Sequence, residues 1–168
     1  PEALRRVHPL GKSPVITDGD ATVHESGAII DYLIRRHGAG RLQPPVGTPE
    51  YEDYLQWLHY AEGSAMLPLM LQMYVMRLGE AGGPLHGRIA SEIDNHMSYV
   101  DQALAGRDYL LGQALTGADI QMSFVGEVAR AFGLLPKYPN AEAWLDRLHG
   151  RPAYKAAIER GGPYALGR

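Results

Sequence analysis

The chain carries the segment GKSPVI at residues 11–16, and the pair Glu25-Ser26 follows after a short turn. Two β-branched runs, residues 15–17 and 21–23, flank the turn-rich tripeptide between them, and this arrangement predicts a β-hairpin. Ser26 then precedes an apolar run whose spacing predicts a helix that ends near His37.

The two ends of this hairpin offer complementary binding groups. If the Ser13–Pro14 bond is cis, the tight turn points the main-chain N–H and C=O groups of Val15 away from the sheet, where an extended peptide can pair with them. Ser26 lies at a helix N-terminus, which binds a carboxylate through unpaired amides and the helix dipole, while Glu25 can bind an ammonium group. The set matches a ligand with an amino-acid head and a peptide-like middle.

Three catalytic motifs are incomplete in this region. A phosphate-binding loop that ends in Gly11-Lys12-Ser13 needs a glycine at position 6, where Arg6 stands. A zinc-protease motif that begins at His24-Glu25 needs a histidine at position 28, which is Ala28. A serine-hydrolase elbow at Ser26 needs glycines at positions 24 and 28, and neither is present. The sequence therefore supports none of the three.

Beyond residue 40 the sequence predicts a linker and then only helices. The linker spans residues 41–48 and is rich in proline and glycine. Thr48 and Pro49 predict the start of a long helix that reaches to about Gly79 and is kinked at Pro68. Further helices are predicted from Pro84, from Thr116, from about Asn140 to His149, and from Pro152 to Arg160.

Apolar stripes predict how two of these helices pack. The stripe of the second helix contains Leu85, Ile89, Ile93, Met97, Val100 and Leu104. The stripe of the third contains Ile120, Phe124, Val128 and Phe132, and it predicts a helix buried at the centre of a bundle. Thr116 and Asp119 have the spacing of a capping box, so both are expected to be structural, and removal of Asp119 is expected to cost about 0.5–2 kcal/mol.

Composition excludes several classes of function. The 168 residues are 45% hydrophobic and 21% charged, as in globular domains, and a net charge of −3 without a basic run gives no indication of a nucleic-acid partner. The absence of cysteine excludes disulfides, thiolate metal sites and a cysteine nucleophile, and it suits a cytoplasmic protein. No histidine spacing predicts a metal site, and no apolar run predicts a transmembrane segment. No signal peptide opens the chain, and its start at Pro1 suggests that the true N-terminus lies upstream.

Two separated motifs resemble one family. Residues 7–15 (VHPLGKSPV) and 24–29 (HESGAI) resemble the second half of the thioredoxin-like domain of glutathione transferases, and residues 116–119 (TGAD) resemble the N-capping motif of that family's helical domain. The similarity runs in order over essentially the whole chain and looks closest to bacterial and fungal-type members. It implies an α+β, two-domain fold. Its parts are a partial thioredoxin-like, glutathione-binding domain at residues 1–40 that lacks the first strand, helix and strand, a linker at 41–48, and an all-α domain at 49–168.

The resemblance also implies roles for individual residues. It implies that Pro14 is cis, that the main chain of Val15 bonds the cysteinyl part of glutathione, and that Lys12 reaches the glycine carboxylate. It implies that Glu25 and Ser26 hold the γ-glutamyl end. The hydrophobic co-substrate site is expected on the long first helix, at Tyr60, Ser64 and Met66.

The implied reaction is the attack of glutathione thiolate on a small hydrophobic electrophile, a detoxification reaction of a cytoplasmic homodimer. Glutathione is then a co-substrate, and no cofactor is expected. The catalytic residue, which must lower the pKa of the thiol, is unknown. The resemblance implies that it lies at the start of the thioredoxin-like domain, in the part that is expected to lie outside this chain. Two alternatives stay open: a glutathione-dependent disulfide reductase or dehalogenase, and a non-catalytic transferase-like binding module.

Overall fold

The computed structural model describes residues 2–162, Tyr164 and Leu166. Its N-terminal part contains a short helix α1 (Glu2–Arg5), the strands β1 (Val15–Asp18) and β2 (Ala21–His24), and helix α2 (Ser26–His37). The two strands form an antiparallel hairpin. The predicted hairpin and the helix that ends at His37 are confirmed, whereas α1 has no counterpart in the sequence-based prediction.

The turn of the hairpin fixes the direction of the main chain at Val15. Gly19 takes the first turn position with a φ of 58°, a region that glycine enters without steric cost. The ladder pairs Asp18 with Ala21 next to the turn and Val15 with His24 at the far end. Because hydrogen-bonded and non-hydrogen-bonded pairs alternate from the turn outward, Val15 belongs to a non-hydrogen-bonded pair. Its N–H and C=O groups therefore face the outer edge of the hairpin.

From residue 49 onward the described chain is mainly helical. Its helices are α3 (Pro49–Tyr60), α4 (Met66–Met76), α5 (Gly83–Ala103), α6 (Gly117–Ala131), α7 (Pro139–Gly150) and α8 (Pro152–Gly161). Thr48 caps α3, since its Oγ1 accepts a hydrogen bond from the Tyr51 amide at 3.3 Å. The predicted fold class, a small sheet with helices followed by a helical bundle, is confirmed.

A π-helical turn, Ala61–Ala65, separates α3 from α4. The Met66 amide closes it by donating to the Ala61 carbonyl. The distortion expected at Pro68 therefore lies one turn earlier in the chain. Pro68 has no N–H to donate, and its ring conflicts with a regular position of the Ser64 carbonyl, so the extra residue in this turn accommodates the proline.

Helix α6 lies at the centre of the bundle, in contact with α2, α3 and α7. Its predicted buried stripe is wrong, because Ile120 and Phe124 are 41% and 42% exposed. The buried face carries Met122, Val125 and Ala129 instead. The reason is steric: small residues on this face let α7 approach, and the Trp144 ring lies against Gly126 there.

The apolar stripe of α5 follows the prediction except at its start. Five of the six predicted residues are buried: Ile89, Ile93, Met97, Val100 and Leu104. Leu85 is 51% exposed, so its assignment to the core is wrong. It lies in the first turn of α5, and the buried positions of this helix begin one turn later, at Ile89.

Asp119 is fully buried and holds three parts of the bundle together. Its Oδ2 accepts hydrogen bonds from the Thr116 amide at 2.9 Å and from the Thr116 hydroxyl at 3.0 Å, within the predicted capping box. Its Oδ1 accepts from the Leu110 amide at 2.8 Å and from Trp144 Nε1 at 3.0 Å. Burial raises the pKa of Asp119, and these donors oppose the rise. Asp119 therefore caps α6 through one carboxylate oxygen and links α6 to Leu110 and Trp144 through the other.

Gly117 allows the N-terminal part to pack closely on the bundle. A Cβ atom at this position would lie 2.6 Å from Ile34 Cδ1, 2.8 Å from Ile30 Cγ2 and 2.9 Å from the Tyr54 hydroxyl. The Gly117 amide also donates to the Leu42 carbonyl at 2.8 Å. A side chain at this position would force these neighbouring side chains of α2 and α3 to shift.

Substitution of Gly117 by alanine is expected to lower the free energy of unfolding by about 1–3 kcal/mol, because the added methyl group overpacks this contact. Gly87→Ala is the matched control: it lies within α5, where an added Cβ meets no atom within 4 Å. The control is expected to raise stability by up to about 1 kcal/mol through helix propensity. Chemical denaturation measures both, and shifts of the same sign would contradict the close α2–α6 contact.

Candidate functional site

A cleft of about 820 Å³ lies between the N-terminal part and the first helices of the bundle. We call it the main cleft. Three of the residues predicted for the site line it together: Pro14, Glu25 and Ser26. The complete lining is Ser13, Pro14, Glu25, Ser26, Gly27, Ala28, Asp31, Tyr51, Leu55, Leu58, His59, Glu62, Gly63 and Gln121.

The main chain around Pro14 forms one wall of the main cleft. The Ser13–Pro14 peptide bond is cis, as the resemblance implies. Ser13 lines the cleft, whereas Val15 and Lys12 are not among its lining residues. Val15 begins β1 with its polar main-chain groups on the outer edge of the hairpin, and Lys12 is exposed in the preceding loop. The place of Ser13 in this wall was not predicted from the sequence, because the motif points to the residue after the proline.

Glu25 and Ser26 occupy the start of α2, and Glu25 has an unusual backbone conformation. Its φ of 75° is rare for a residue other than glycine, and such conformations concentrate at functional sites. Glu25 is the N-cap residue, yet no side chain caps the helix, and Ser26 is the first helical residue. The first amides of α2 therefore have no side-chain acceptor and can bind an anion.

A second cavity of about 450 Å³ lies between α4 and α6. We call it the methionine pocket. Its lining is apolar apart from one residue, Glu62, which also lines the main cleft. The complete lining is Glu62, Met66, Leu69, Met70, Met73, Met76, Phe124, Val128, Ala131, Phe132 and Leu166. Unbranched methionine side chains adapt to varied apolar shapes, so this pocket can hold an apolar ligand next to one in the main cleft.

The residues predicted for the hydrophobic site do not lie together. Met66 lines the methionine pocket, but Tyr60 and Ser64 line another cavity between α3 and α5, with Trp57 and Tyr99. The Tyr60 hydroxyl lies 2.6 Å from His96 Nδ1 on α5, and burial raises the pKa of Tyr60 to about 12. The π-helical turn separates the directions of these three residues, so a regular helical spacing cannot group them correctly.

The charges of the main cleft are mainly acidic. Glu25, Asp31 and Glu62 line it, and no lysine or arginine does so within the described part of the chain. Asp31 is paired with Arg35, whose Nε lies 2.7 Å from Asp31 Oδ2. Glu62 is exposed at the edge of the cleft. Partial desolvation raises the pKa of its carboxyl, and the Glu25 carboxylate raises it further.

The described residues contain no group of three or more side chains placed to hold a metal ion. None of the helices in this same part of the chain is long and apolar enough to span a bilayer. The chemistry of the site therefore has to be argued from the two cavities and from the groups that line them.

Comparisons with known proteins agree with this geometry. Residues 1–45 match the family description "Glutathione S-transferase, N-terminal domain", and residues 85–152 match "Glutathione S-transferase, C-terminal domain". Glutathione S-transferase 3 of Schizosaccharomyces pombe is 31% identical over 95% of this chain and 72% of its own length.

Two solved structures are similar over the same extent. A glutathione S-transferase from Actinobacillus pleuropneumoniae superposes with a TM-score of 0.85 at 32% identity, over 95% of this chain and 74% of its own. A sphingomonad glutathione S-transferase in complex with glutathione has a TM-score of 0.77 at 27% identity, over 95% of this chain and 79% of its own. The chain belongs to the glutathione S-transferase family.

Proposed function

We propose that this protein is a glutathione S-transferase that conjugates glutathione to hydrophobic electrophiles. The observation that carries the proposal is the junction of the two cavities. The main cleft has Pro14, Glu25 and Ser26 in its wall, and it meets the apolar methionine pocket at Glu62. The relatives named as glutathione S-transferases, and the sphingomonad structure that contains glutathione, support the same reaction.

Glutathione binds at the main cleft through contacts with each of its three amino-acid parts. The carboxylate of its γ-glutamyl end accepts from the Ser26 hydroxyl and the first amides of α2, while Glu25 pairs with the ammonium group of the same end. The main chain on both sides of the cis bond, at Ser13 and Val15, pairs with the cysteinyl part of the ligand. Lys12, in the exposed loop before Pro14, reaches the glycine carboxylate.

The electrophile occupies the methionine pocket, where contact with Met66 and its apolar neighbours removes it from water. The glutathione sulfur then attacks its reacting carbon, an S–C bond forms, and a leaving group such as halide departs with the bonding electrons. The residues of the two cavities bind and orient the two reactants. None of them is assigned to lowering the pKa of the thiol, and no cofactor takes part in the reaction.

The protein is further proposed to act as a homodimer in the cytosol, in detoxification. Apolar side chains exposed on the outer side of the long helix support the dimer: Leu67 on α4 is 57% exposed and Leu71 is 43% exposed. A symmetric contact between two copies would cover such side chains, as is common in homodimers.

Retention of the full-length protein on glutathione-agarose, together with conjugation of a chromogenic aryl halide, tests the proposal. We expect elution by free glutathione and an increase in conjugate absorbance that depends on both substrates. Retention without conjugation would favour a binding module, and turnover of a glutathione mixed disulfide in its place would favour a reductase. A protein that is neither retained nor active would overturn the proposal.

A further inference from the structure

Glu62 is an unexpected residue in the wall of the methionine pocket. Of the described residues that line this pocket, it is the only one that carries a charge. The other side chains are aliphatic, aromatic or thioether groups, which offer nothing to a polar ligand beyond a weak acceptor sulfur. A single carboxylate in such a surrounding distinguishes between ligands that could otherwise bind equally well.

Glu62 lies where the two cavities adjoin. It lies in the π-helical turn between α3 and α4, and it lines both the main cleft and the methionine pocket. Turns of this kind occur often at functional sites, because the extra residue redirects side chains that a regular helix would carry elsewhere. In the proposed reaction, the sulfur of glutathione and the reacting carbon meet at the same junction.

Among the described residues, none donates a hydrogen bond to the Glu62 carboxylate or forms an ion pair with it. The charged group that affects it most is Glu25, which repels it, and burial disfavours its ionised form as well. Glu62 is exposed, so its carboxylate is available to a ligand at the mouth of the pocket. A ligand that donates a hydrogen bond or carries a positive charge would pair with this carboxylate and offset its repulsion by Glu25.

We propose that Glu62 makes the methionine pocket selective for electrophiles that carry a cationic or N–H donor group beside the reacting carbon. This inference rests on the proposed function, since it assumes glutathione in the main cleft. The remainder of such an electrophile is apolar and lies against the methionine side chains. The donor lies at the mouth of the pocket and binds the carboxylate.

The test compares two glutathione conjugates of nearly equal shape by isothermal titration with the full-length protein. S-(2-aminoethyl)glutathione ends in an ammonium group where S-propylglutathione ends in a methyl group. We expect the wild-type protein to bind the aminoethyl conjugate about tenfold more tightly, the size of one charge-assisted hydrogen bond at a partly solvated site. Glu62→Gln should bring the ratio of the two dissociation constants close to one.

Glu52→Gln is the matched control, because it removes the same charge from an exposed position on α3 that lines neither cavity. It should leave the ratio unchanged, which separates a local contact from general attraction to a protein of net charge −3. A ratio near one in the wild type, or a ratio that Glu62→Gln does not alter, would overturn the inference while both conjugates still bind. If neither conjugate binds, the proposed function itself fails.

The Glu62→Gln variant is expected to fold. A carboxyl group whose pKa is raised on folding makes the native state less stable as the pH rises above the unfolded-state pKa, and a neutral amide avoids this loss. The melting temperature of the variant near neutral pH should therefore equal or exceed that of the wild type. A lost preference for the ammonium group then reports a lost contact and not a damaged protein.

Discussion

Replacement of Asp119 by alanine is expected to lower the free energy of unfolding by about 3–5 kcal/mol, a large effect for a single substitution. The carboxylate is fully buried, and it accepts from two main-chain amides, one hydroxyl and the indole N–H of Trp144. Without it, these donors are left unpaired in the centre of the bundle. A cap at the surface would cost about 0.5–2 kcal/mol, so the excess measures the bonds to Leu110 and Trp144.

Two further variants show how much of the lost stability belongs to the hydrogen-bond network, the four bonds that Asp119 accepts. Asp119→Asn keeps the shape of the side chain but places an NH₂ group against donors, so we expect a loss nearly as large as that of the alanine variant. Asp146→Asn removes an exposed carboxylate that lies 2.6 Å from Arg130 Nη2, and it should change stability by less than about 1 kcal/mol. Urea denaturation measures all three. Similar small losses for Asp119→Ala and Asp146→Asn would contradict the structural role of the network.

The starts of most elements could be predicted from the sequence because they depend on local chemistry. Thr48 followed by Pro49, and the spacing of Thr116 and Asp119, act through bonds within one helical turn, and the structure places α3 and α6 accordingly. The buried face of α6 could not be predicted in this way. Steps of four residues group Ile120 with Phe124, but α7 packs where Gly126 leaves space for Trp144.

The glutathione-binding half and the apolar half of the proposed site also differ in how well the sequence predicts them. Pro14, Glu25 and Ser26 form a motif within one hairpin and one helix start, and the main cleft brings them together as expected from their order in the chain. The apolar half depends on the π-helical turn, which changes the direction of every later side chain in the long helix. The remaining clue in the sequence was Glu62 itself, a charge at the edge of the most apolar stretch.

Ser26→Ala is expected to weaken glutathione binding by about 10- to 100-fold, the range for the loss of one hydrogen bond to a charged group. The same substitution should change the free energy of unfolding by less than about 0.5 kcal/mol. The structure gives the reason for this difference. Ser26 is the first residue of α2, one position beyond the N-cap, and no side chain caps this helix. Its half-buried side chain lines the main cleft and stabilises no part of the fold by a side-chain hydrogen bond to the helix end.

Thr48→Ala is the opposite case and serves as the control. Thr48 is a true N-cap: its hydroxyl accepts from the Tyr51 amide at 3.3 Å and donates to the Pro45 carbonyl at 2.8 Å, away from the main cleft. Its removal should cost about 1 kcal/mol of stability and leave the dissociation constant of glutathione unchanged. Titration calorimetry and thermal melting of both variants give a crossed result, in which each substitution affects one property only. If Ser26→Ala instead lowered the melting temperature as Thr48→Ala does and left binding intact, Ser26 would be a structural residue and the assignment of the γ-glutamyl site would fail.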